Sequence, residues 1–336
     1  MSKLLAVLSL CFIPCLLWAQ PSMVKDTANI IPHDDQRDLI DVVRSVFKFS
    51  PRKIEPEKDK DVYFSFLPIS STLPGGGKTL FTSTTAGFYL GNRKTTYMSS
   101  ITFAPYFNFK GRYGLPVRSN IWLKDNAWNI LGDTRVLVYP QYTWGLGGSR
   151  GNDEKILLDY NYIRLYQSAL KRIRPYFFAG IGYNLDYYIN VKTGNPGEVE
   201  DFTGYKFGTG KNSFSSGASI NLLYDTRNNS INPMPGMYAN IIYRFNTRIL
   251  GSIDHWQSLY IDARKYISLS GTPSTKKNVL AFWSYYWASL TPGTPYLNLP
   301  SIGWDPYQRS GRGIDQNRYR GEEMLYFETE YRRDIT

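Results

Sequence analysis

The sequence predicts a transmembrane antiparallel β-barrel, an all-β fold, and three observations support this prediction. The chain begins with an export signal, and most of its remaining length alternates apolar with polar residues. Tyrosine is abundant, with 27 copies, yet no later apolar run approaches the roughly 18 residues of a membrane helix. An exported, tyrosine-rich chain with strand periodicity is typical of a barrel, in which one face of each strand meets lipid.

Residues 1–19 have the parts of a secretory signal peptide. Lys3 provides the positive start, an apolar stretch follows, and a small-residue cleavage site ends at Ala19. Both cysteines of the chain, Cys11 and Cys15, lie within this signal. The exported chain is therefore predicted to contain neither a disulfide nor a cysteine nucleophile.

Residues 20–60 are expected to form a periplasmic N-terminal segment. Apolar residues recur at helical spacing between Asp35 and Phe47, which predicts one short amphipathic helix. We expect this helix to act as a connector; a plug in the mouth of the barrel is the alternative. Pro51 and Pro56 then end the helical pattern before the first predicted strand.

From about residue 61 the period of the apolar pattern changes from helical to two. Between residues 258 and 268, for example, apolar residues alternate with polar ones, and Asp262 and Arg264 share the polar positions. Because successive side chains of a strand point to opposite faces, both charges fall on the side away from lipid. This placement indicates a polar interior rather than a random distribution of surface charge.

About twelve alternating segments follow one another along the chain. The connections between them alternate between short turns and long loops, the longest being residues 190–212 and 291–320. Short periplasmic turns and long outer loops are typical of outer-membrane barrels. We therefore predict a single barrel domain over residues 61–336.

The chain is basic, with a formal net charge of +11. An exported protein rarely meets nucleic acid, so no nucleic-acid partner is expected. The basic side chains instead suit the phosphate-rich surface of a Gram-negative outer membrane, with lipid and lipopolysaccharide as partners of a monomer. A solvated basic surface without a specific partner explains the charge equally well.

Residues suited to enzymatic or metal chemistry are sparse. The two histidines, His33 and His255, are far apart in sequence, so a histidine-based metal site is not expected. No serine is expected in the strand–turn–helix setting of a nucleophile elbow. Residues 75–79 resemble the end of a phosphate-binding loop but lack its first glycine. We predict no catalytic residue, metal or cofactor; an enzyme that uses His255 beside Asp254 is the least favoured alternative.

A turn motif lies within residues 224–238, where Asp225 and Arg227 are followed by Pro233 and Gly236. The aspartate suits a turn, the proline prevents strand pairing, and the glycine lets the chain enter the next strand. The stretch resembles the strand–turn–strand signature of the BamA/TamA superfamily of outer-membrane assembly factors, also called the bacterial surface antigen family.

A second stretch resembles the long inward-folded loop of the same family. Residues 295–303 are similar to the approach to this loop, and Arg312-Gly313-Ile314 is similar to its Arg-Gly-aromatic tip, with Ile314 in the aromatic position. In the family the loop arginine pairs with carboxylates of the inner wall, which implies a lumenal pair of Arg312 with Glu330; an exposed arginine in a flexible loop is the alternative. The period of two also places Glu330 on the interior face of its strand.

The resemblance covers about residues 61–336 and implies a barrel-only member of the family. It implies assistance in inserting or exporting polypeptides at the outer membrane, with unfolded polypeptides as clients and no catalysis. A passive channel or a receptor-like barrel without assembly activity is the alternative. Because the Arg312 loop precedes the twelfth strand of the sixteen in the family's barrel, we also expect the chain to be truncated at its C-terminus.

Overall fold

The computed structural model describes residues 62–73, 77–193, 198–227, 235–270, 278–306 and 310–333. The predicted signal peptide and the predicted amphipathic helix lie outside these residues. The division of the chain at residues 19 and 60 therefore stays a prediction. Within the described ranges, no helix is long and apolar enough to cross a membrane.

Nearly all of the described chain forms antiparallel β-structure. The strands that the structure describes are, in chain order, β1 (Val62–Leu73), β2 (Gly77–Phe88), β3 (Ser99–Phe103), β4 (Tyr106–Phe107), β5 (Tyr113–Gly114), β6 (Val117–Trp122), β7 (Trp128–Val138), β8 (Gln141–Thr143), β9 (Ile156–Arg174), β10 (Phe177–Lys192), β11 (Ser213–Asp225), β12 (Gly236–Asn246), β13 (Trp256–Ser268), β14 (Asn278–Ser289) and β15 (Glu323–Arg333). One short helix, α1 (Glu198–Thr203), lies between β10 and β11.

The strands form one sheet in which chain neighbours pair antiparallel. Three strands of the sheet are each interrupted and so divided in two: β3 and β4 pair with β2, β5 and β6 pair with β7, and β7 and β8 pair with β9. When these pieces are joined, twelve segments lie where the alternation predicts them, which confirms the predicted all-β antiparallel fold. In the described part of the chain, β1 and β15 lie at the two edges of the sheet.

The two faces of the sheet differ as the alternation predicts. On β9, Tyr162 and Arg164 are buried, whereas Ile163 and Leu165 between them are exposed. On β10, Ile181 is the most exposed apolar side chain, at 72%. Covering apolar surface with lipid instead of water is favourable by about 25 cal/mol of free energy for each Å². The sheet thus has an apolar outer face for lipid and a polar inner face.

Gly180 lies where β9 and β10 approach each other closely. A Cβ atom at this position would be 2.0 Å from the carbonyl oxygen of Ala169 and 2.6 Å from the Cα of Leu170. Both are backbone atoms held by the strand pairing, so they cannot rotate away as the end of a side chain could. Even the smallest side chain at residue 180 would therefore push the two strands apart.

We predict that Gly180→Ala destabilises the folded protein by about 1–3 kcal/mol, the usual cost of overpacking. Gly210→Ala is the matched control, because no atom lies within 4 Å of a Cβ at that position. The measurement is the urea midpoint at which each variant loses its heat-modifiable migration in a gel. Equal midpoints for the two variants would contradict this account of the strand contact.

Candidate functional site

The loop between β14 and β15 folds back against the inner face of the sheet. In its described parts, residues 290–306 and 310–322, the side chains of Tyr296, Leu299 and Trp304 are buried. They share one apolar cluster with wall residues of β7, β9 and β10, namely Leu137, Leu158, Tyr160, Tyr162 and Tyr188. Burial of one large apolar side chain contributes roughly 1.5–3 kcal/mol. Apolar packing is therefore the main force that holds the loop on the wall.

Tyr296 is a fully buried residue of the loop. Its hydroxyl bonds the Thr143 hydroxyl, and its backbone N–H donates to the Phe207 carbonyl at 2.8 Å. Nearby, the Tyr205 hydroxyl donates to the Thr294 carbonyl at 2.7 Å. Burial raises the pKa of the Tyr296 phenol, and that of Tyr205 to about 12. Both phenols therefore stay neutral and keep their protons for hydrogen bonding.

Arg320 is the arginine that this loop buries. Its side chain is 2% exposed, Nη1 donates to the Tyr296 carbonyl at 2.8 Å, and Nη2 donates to Asn317 Oδ1 at 2.9 Å. The guanidinium also lies over the Tyr296 ring, 4.9 Å from its centroid. The backbone carbonyl of Arg320 accepts from Gly147 N–H at 2.7 Å. A buried cation thus joins the start of the loop to its end through neutral acceptors.

Asn317 extends this network to the wall. It is fully buried and has a φ of 65°, a left-handed conformation that asparagine tolerates better than most residues. Its Nδ2 donates to Gln141 Oε1 at 2.6 Å, and Trp304 Nε1 donates to the same oxygen at 2.8 Å. Ser301 donates to Asn317 Oδ1 at 2.9 Å. These bonds connect the loop to β8.

Arg312 and Glu330, the residues of the predicted loop–wall pair, lie close together but are not buried. Nη2 of Arg312 is 3.5 Å from Oε2 of Glu330, and its Nε is 3.6 Å from Oε1 of Glu328. The Arg312 side chain is 65% exposed, and Glu330 makes a shorter contact, 2.9 Å, with Arg332. Gly313 has a φ of 79°, which places Arg312 in a tight turn at an open part of the interior. The predicted contact between Arg312 and Glu330 is therefore present but exposed, and Arg320 is the fully buried arginine among the described residues of the loop.

The predicted turn motif lies at the end of β11. Arg227 donates to Asp225 through Nε at 2.9 Å and through Nη2 at 2.8 Å, and both side chains are buried. The Arg227 guanidinium lies 4.2 Å from the centroid of the Tyr238 ring. Gly236 begins β12 as expected. Pro233 lies outside the described residues.

The Asp-x-Arg spacing of this motif recurs on the inner face of other strands. Arg135 of β7 donates to Asp133 through two nitrogens, and Arg264 of β13 donates to Asp262 at 2.9 and 2.6 Å. Residues two apart in a strand point to the same side, so β7 and β13 each carry a bidentate Arg–Asp ion pair of their own. Alternation predicted that Asp262 and Arg264 share one face. The repeated Asp-x-Arg spacing is also visible in the sequence and was not predicted to be a recurring ion pair.

Asp186 of β10 is the centre of a buried charge cluster on the wall. Its carboxylate accepts from Arg244 Nη1 and from the Tyr166 hydroxyl, both at 2.6 Å, and from the Tyr162 hydroxyl. Arg164 lies 3.4 Å from the same carboxylate. The participants come from the consecutive strands β9 and β10 and from β12, whose Arg244 lies 58 residues after Asp186. No local pattern could have predicted this cluster.

The residues considered for enzymatic chemistry lie apart from this cluster. His255 is exposed, and its neighbour Asp254 pairs with Arg248 at 3.4 Å. Residues 147–151 do spell Gly-x-Ser-x-Gly around Ser149, but they connect two strands and not a strand to a helix, as a nucleophile elbow requires. Among the residues with described coordinates, no three His, Cys, Asp or Glu side chains group as metal ligands.

We predict that Arg320→Gln releases the loop from the wall much more than Arg312→Gln does. Hydrogen bonds from a charged group contribute about 1.5–3 kcal/mol each, whereas an exposed ion pair contributes about 0–1 kcal/mol. The measurement is the rate of chymotrypsin cleavage within residues 290–322 of the folded protein. Heat-modifiable migration verifies that the barrel stays folded, and equal cleavage of the two variants would contradict the prediction.

We predict that Arg244→Met lowers the free energy of unfolding by about 3–5 kcal/mol, because it leaves the buried Asp186 carboxylate without its closest cation. Arg248→Met is the control, since its ion pair with Asp254 is exposed and contributes about 0–1 kcal/mol. Adding Asp186→Asn to Arg244→Met removes the stranded charge and should restore part of the loss. Urea unfolding measures all three; no recovery in the double variant would argue against a stranded charge as the cause.

Comparison with known proteins gives a family for the central strands. Residues 140–282, from the start of β8 into β14, match the Omp85 superfamily domain. A search of curated protein sequences found no match. Among solved structures, the chain is similar to the crystal structure of BamA from Haemophilus ducreyi lacking POTRA domains 1-3, with 14% identity and a TM-score of 0.46. The alignment covers 81% of this chain and 53% of that one, so the chain spans about half the length of the solved structure.

The superfamily match includes the wall strands that carry Asp186 and Arg244 and the β8 residues that bind the loop. The match agrees with the two stretches that resemble the BamA/TamA superfamily in sequence. Residues 140–282 are therefore similar to the Omp85 superfamily domain.

Proposed function

We propose that this protein assists the insertion or export of polypeptides at the outer membrane and catalyses no covalent reaction. The superfamily match over residues 140–282 carries the proposal, since members of this superfamily handle polypeptides at that membrane. Unfolded polypeptides are the proposed clients, and outer-membrane lipid and lipopolysaccharide are the proposed surroundings. A monomer is the proposed working state.

The chemistry of the inner face supports this proposal. A polypeptide that enters a membrane must satisfy its backbone N–H and C=O groups, because hydrocarbon offers no hydrogen bonds. Within the described residues, Glu328 and Glu330 of β15 and Arg312 of the loop present partly exposed polar side chains. Carboxylates accept hydrogen bonds and guanidinium groups donate them, so such side chains can bond the backbone of a passing chain. A polar wall would thus lower the cost of moving an extended chain along it.

The docked loop supports a gated interior. Tyr296, Trp304 and Arg320 are buried where the loop packs against the wall strands. In this proposal a client displaces the loop or moves around it. The strength of the Arg320 hydrogen bonds then sets how readily the interior opens.

The test is a folding assay in vesicles that contain the purified protein. An unfolded outer-membrane barrel added from outside should fold several-fold faster with wild-type protein than with empty vesicles, because the protein provides a polar path. Arg320→Gln should change this acceleration, whereas the exposed control Arg248→Met should keep it.

The same vesicles distinguish the alternative function. Absence of any acceleration, together with steady ionic conductance across a bilayer that holds the protein, would overturn the proposal in favour of a passive channel. In cells, deletion of the gene should lower the amounts of other outer-membrane proteins. Unchanged amounts would count against the proposal as well.

A further inference from the structure

Basic residues are concentrated at the end of the sheet where the connections are mostly short. Three stretches meet there, residues 89–98, 123–128 and 171–176, and their cations, here called the basic collar, are Arg93, Lys94, Lys124, Lys171, Arg172 and Arg174. Asp125 is the one acidic residue in these stretches. Its carboxylate already accepts from the Thr95 hydroxyl at 2.6 Å.

The three stretches are neighbours in space. Leu90 pairs with Leu123 in an isolated bridge, and the backbone N–H of Arg172 donates to the Ala127 carbonyl at 3.0 Å. Trp128 lies opposite Lys171 in the pairing of β7 with β9. The basic collar is therefore one continuous rim around part of the sheet.

The charges of the basic collar face solvent. The side chains of Lys94, Lys124, Lys171 and Arg174 are exposed, and none of the four takes part in an ion pair within the described chain. Lys171 Nζ lies 6.0 Å from the centroid of the Trp128 ring. Cations beside an interfacial aromatic ring are the arrangement that membrane proteins use at the headgroup level.

The connections at the opposite end carry mixed charges. In residues 144–155, Arg150 and Lys155 are balanced by Asp153 and Glu154. Exposed lysines also occur at that end, namely Lys78, Lys110, Lys206 and Lys211, but its longer connections contain several acidic residues as well. The basic collar differs in having six cations and a single acid, Asp125, in three adjoining stretches.

The basic collar also borders the lipid-facing surface directly. Ile173 and Tyr176, within the collar, are exposed at 55% and 48%, and Ile181 of the adjoining β10 is exposed at 72%. The collar therefore stands where the hydrocarbon region ends and headgroups begin. Lipid phosphates are the negative groups at that depth, and arginine and lysine bind phosphate through charge-assisted hydrogen bonds.

We propose that the basic collar is a binding surface for the phosphates of anionic phospholipids in the leaflet at the short-turn end. Short turns lie on the periplasmic side in outer-membrane barrels, so this is the periplasmic leaflet. The inference rests on the membrane placement of the barrel and does not depend on its action on polypeptides. It accounts for why six basic residues and only one acidic residue occur in these three adjoining stretches.

The test compares two variants that lose the same charge. The collar variant is K94Q/K124Q/K171Q/R174Q, and the control variant, K78Q/K110Q/K206Q/K211Q, removes four exposed lysines from the opposite end. Each protein is placed in phosphatidylcholine bilayers with trace spin-labelled lipid. Electron paramagnetic resonance then gives the association of phosphatidylglycerol relative to phosphatidylcholine. The wild type and the control variant should prefer phosphatidylglycerol several-fold, and the collar variant should show no preference.

Salt provides a second measurement on the same samples. At about 1 M NaCl the screening length falls to about 3 Å, so the wild-type preference should decrease markedly. A collar variant that keeps the wild-type preference, or a control variant that loses it equally, would overturn the proposal. Heat-modifiable migration verifies folding. If the collar variant does not fold, K94Q/K124Q and K171Q/R174Q should each lose part of the preference. The assay contains no client polypeptide, so its failure is distinct from failure of the proposed function.

Discussion

A buried guanidinium that has no carboxylate partner among the described residues fixes the shape of the loop on the wall. Arg320 donates to the Tyr296 carbonyl and to Asn317, and so ties the beginning of the loop to its end. A charge can be buried at tolerable cost only when hydrogen bonds replace its hydration. Because these acceptors belong to the loop itself, the burial of Arg320 depends on the loop keeping this conformation.

The wall beneath the loop handles charge differently. Asp186 is neutralised by Arg244 and Arg164 from neighbouring strands, and the Asp-x-Arg pairs neutralise themselves within one strand. The contacts of Asp186 cross between strands, so they bind the wall strands to one another by charge as well as by backbone pairing. Each Asp-x-Arg pair, in contrast, lies within its own strand. A small cavity remains between wall and loop, lined by Arg164, Arg244 and Asn298 among others. The loop therefore rests on a wall that combines an apolar cluster with buried, mutually neutralised charges.

Period-two alternation predicted about twelve segments, and twelve are found once the interrupted strands are joined, but the alternation did not show where strands are interrupted. The predicted contact of Arg312 with Glu330 is present at 3.5 Å, on an exposed arginine side chain, whereas Arg320 is a buried arginine of the same loop that the sequence did not indicate. Both arginines lie next to glycine in the same loop, and motif similarity cannot tell which one is covered. Burial of Arg320 depends on Tyr296, which lies 24 residues earlier, and on β8.

Local spacing alone sets the two faces of each strand and the Asp-x-Arg pairs, since side chains two residues apart must share a face. The lipid-facing pattern and the polar interior were therefore readable from the residues in order. Only the folded chain selects partners across strands. Asp186 and Arg244 are 58 residues apart, and they meet because β10, β11 and β12 are successive neighbours in the sheet. Strand order and register, which bring such ions together, are properties of the whole sheet and leave no mark in any short stretch of sequence.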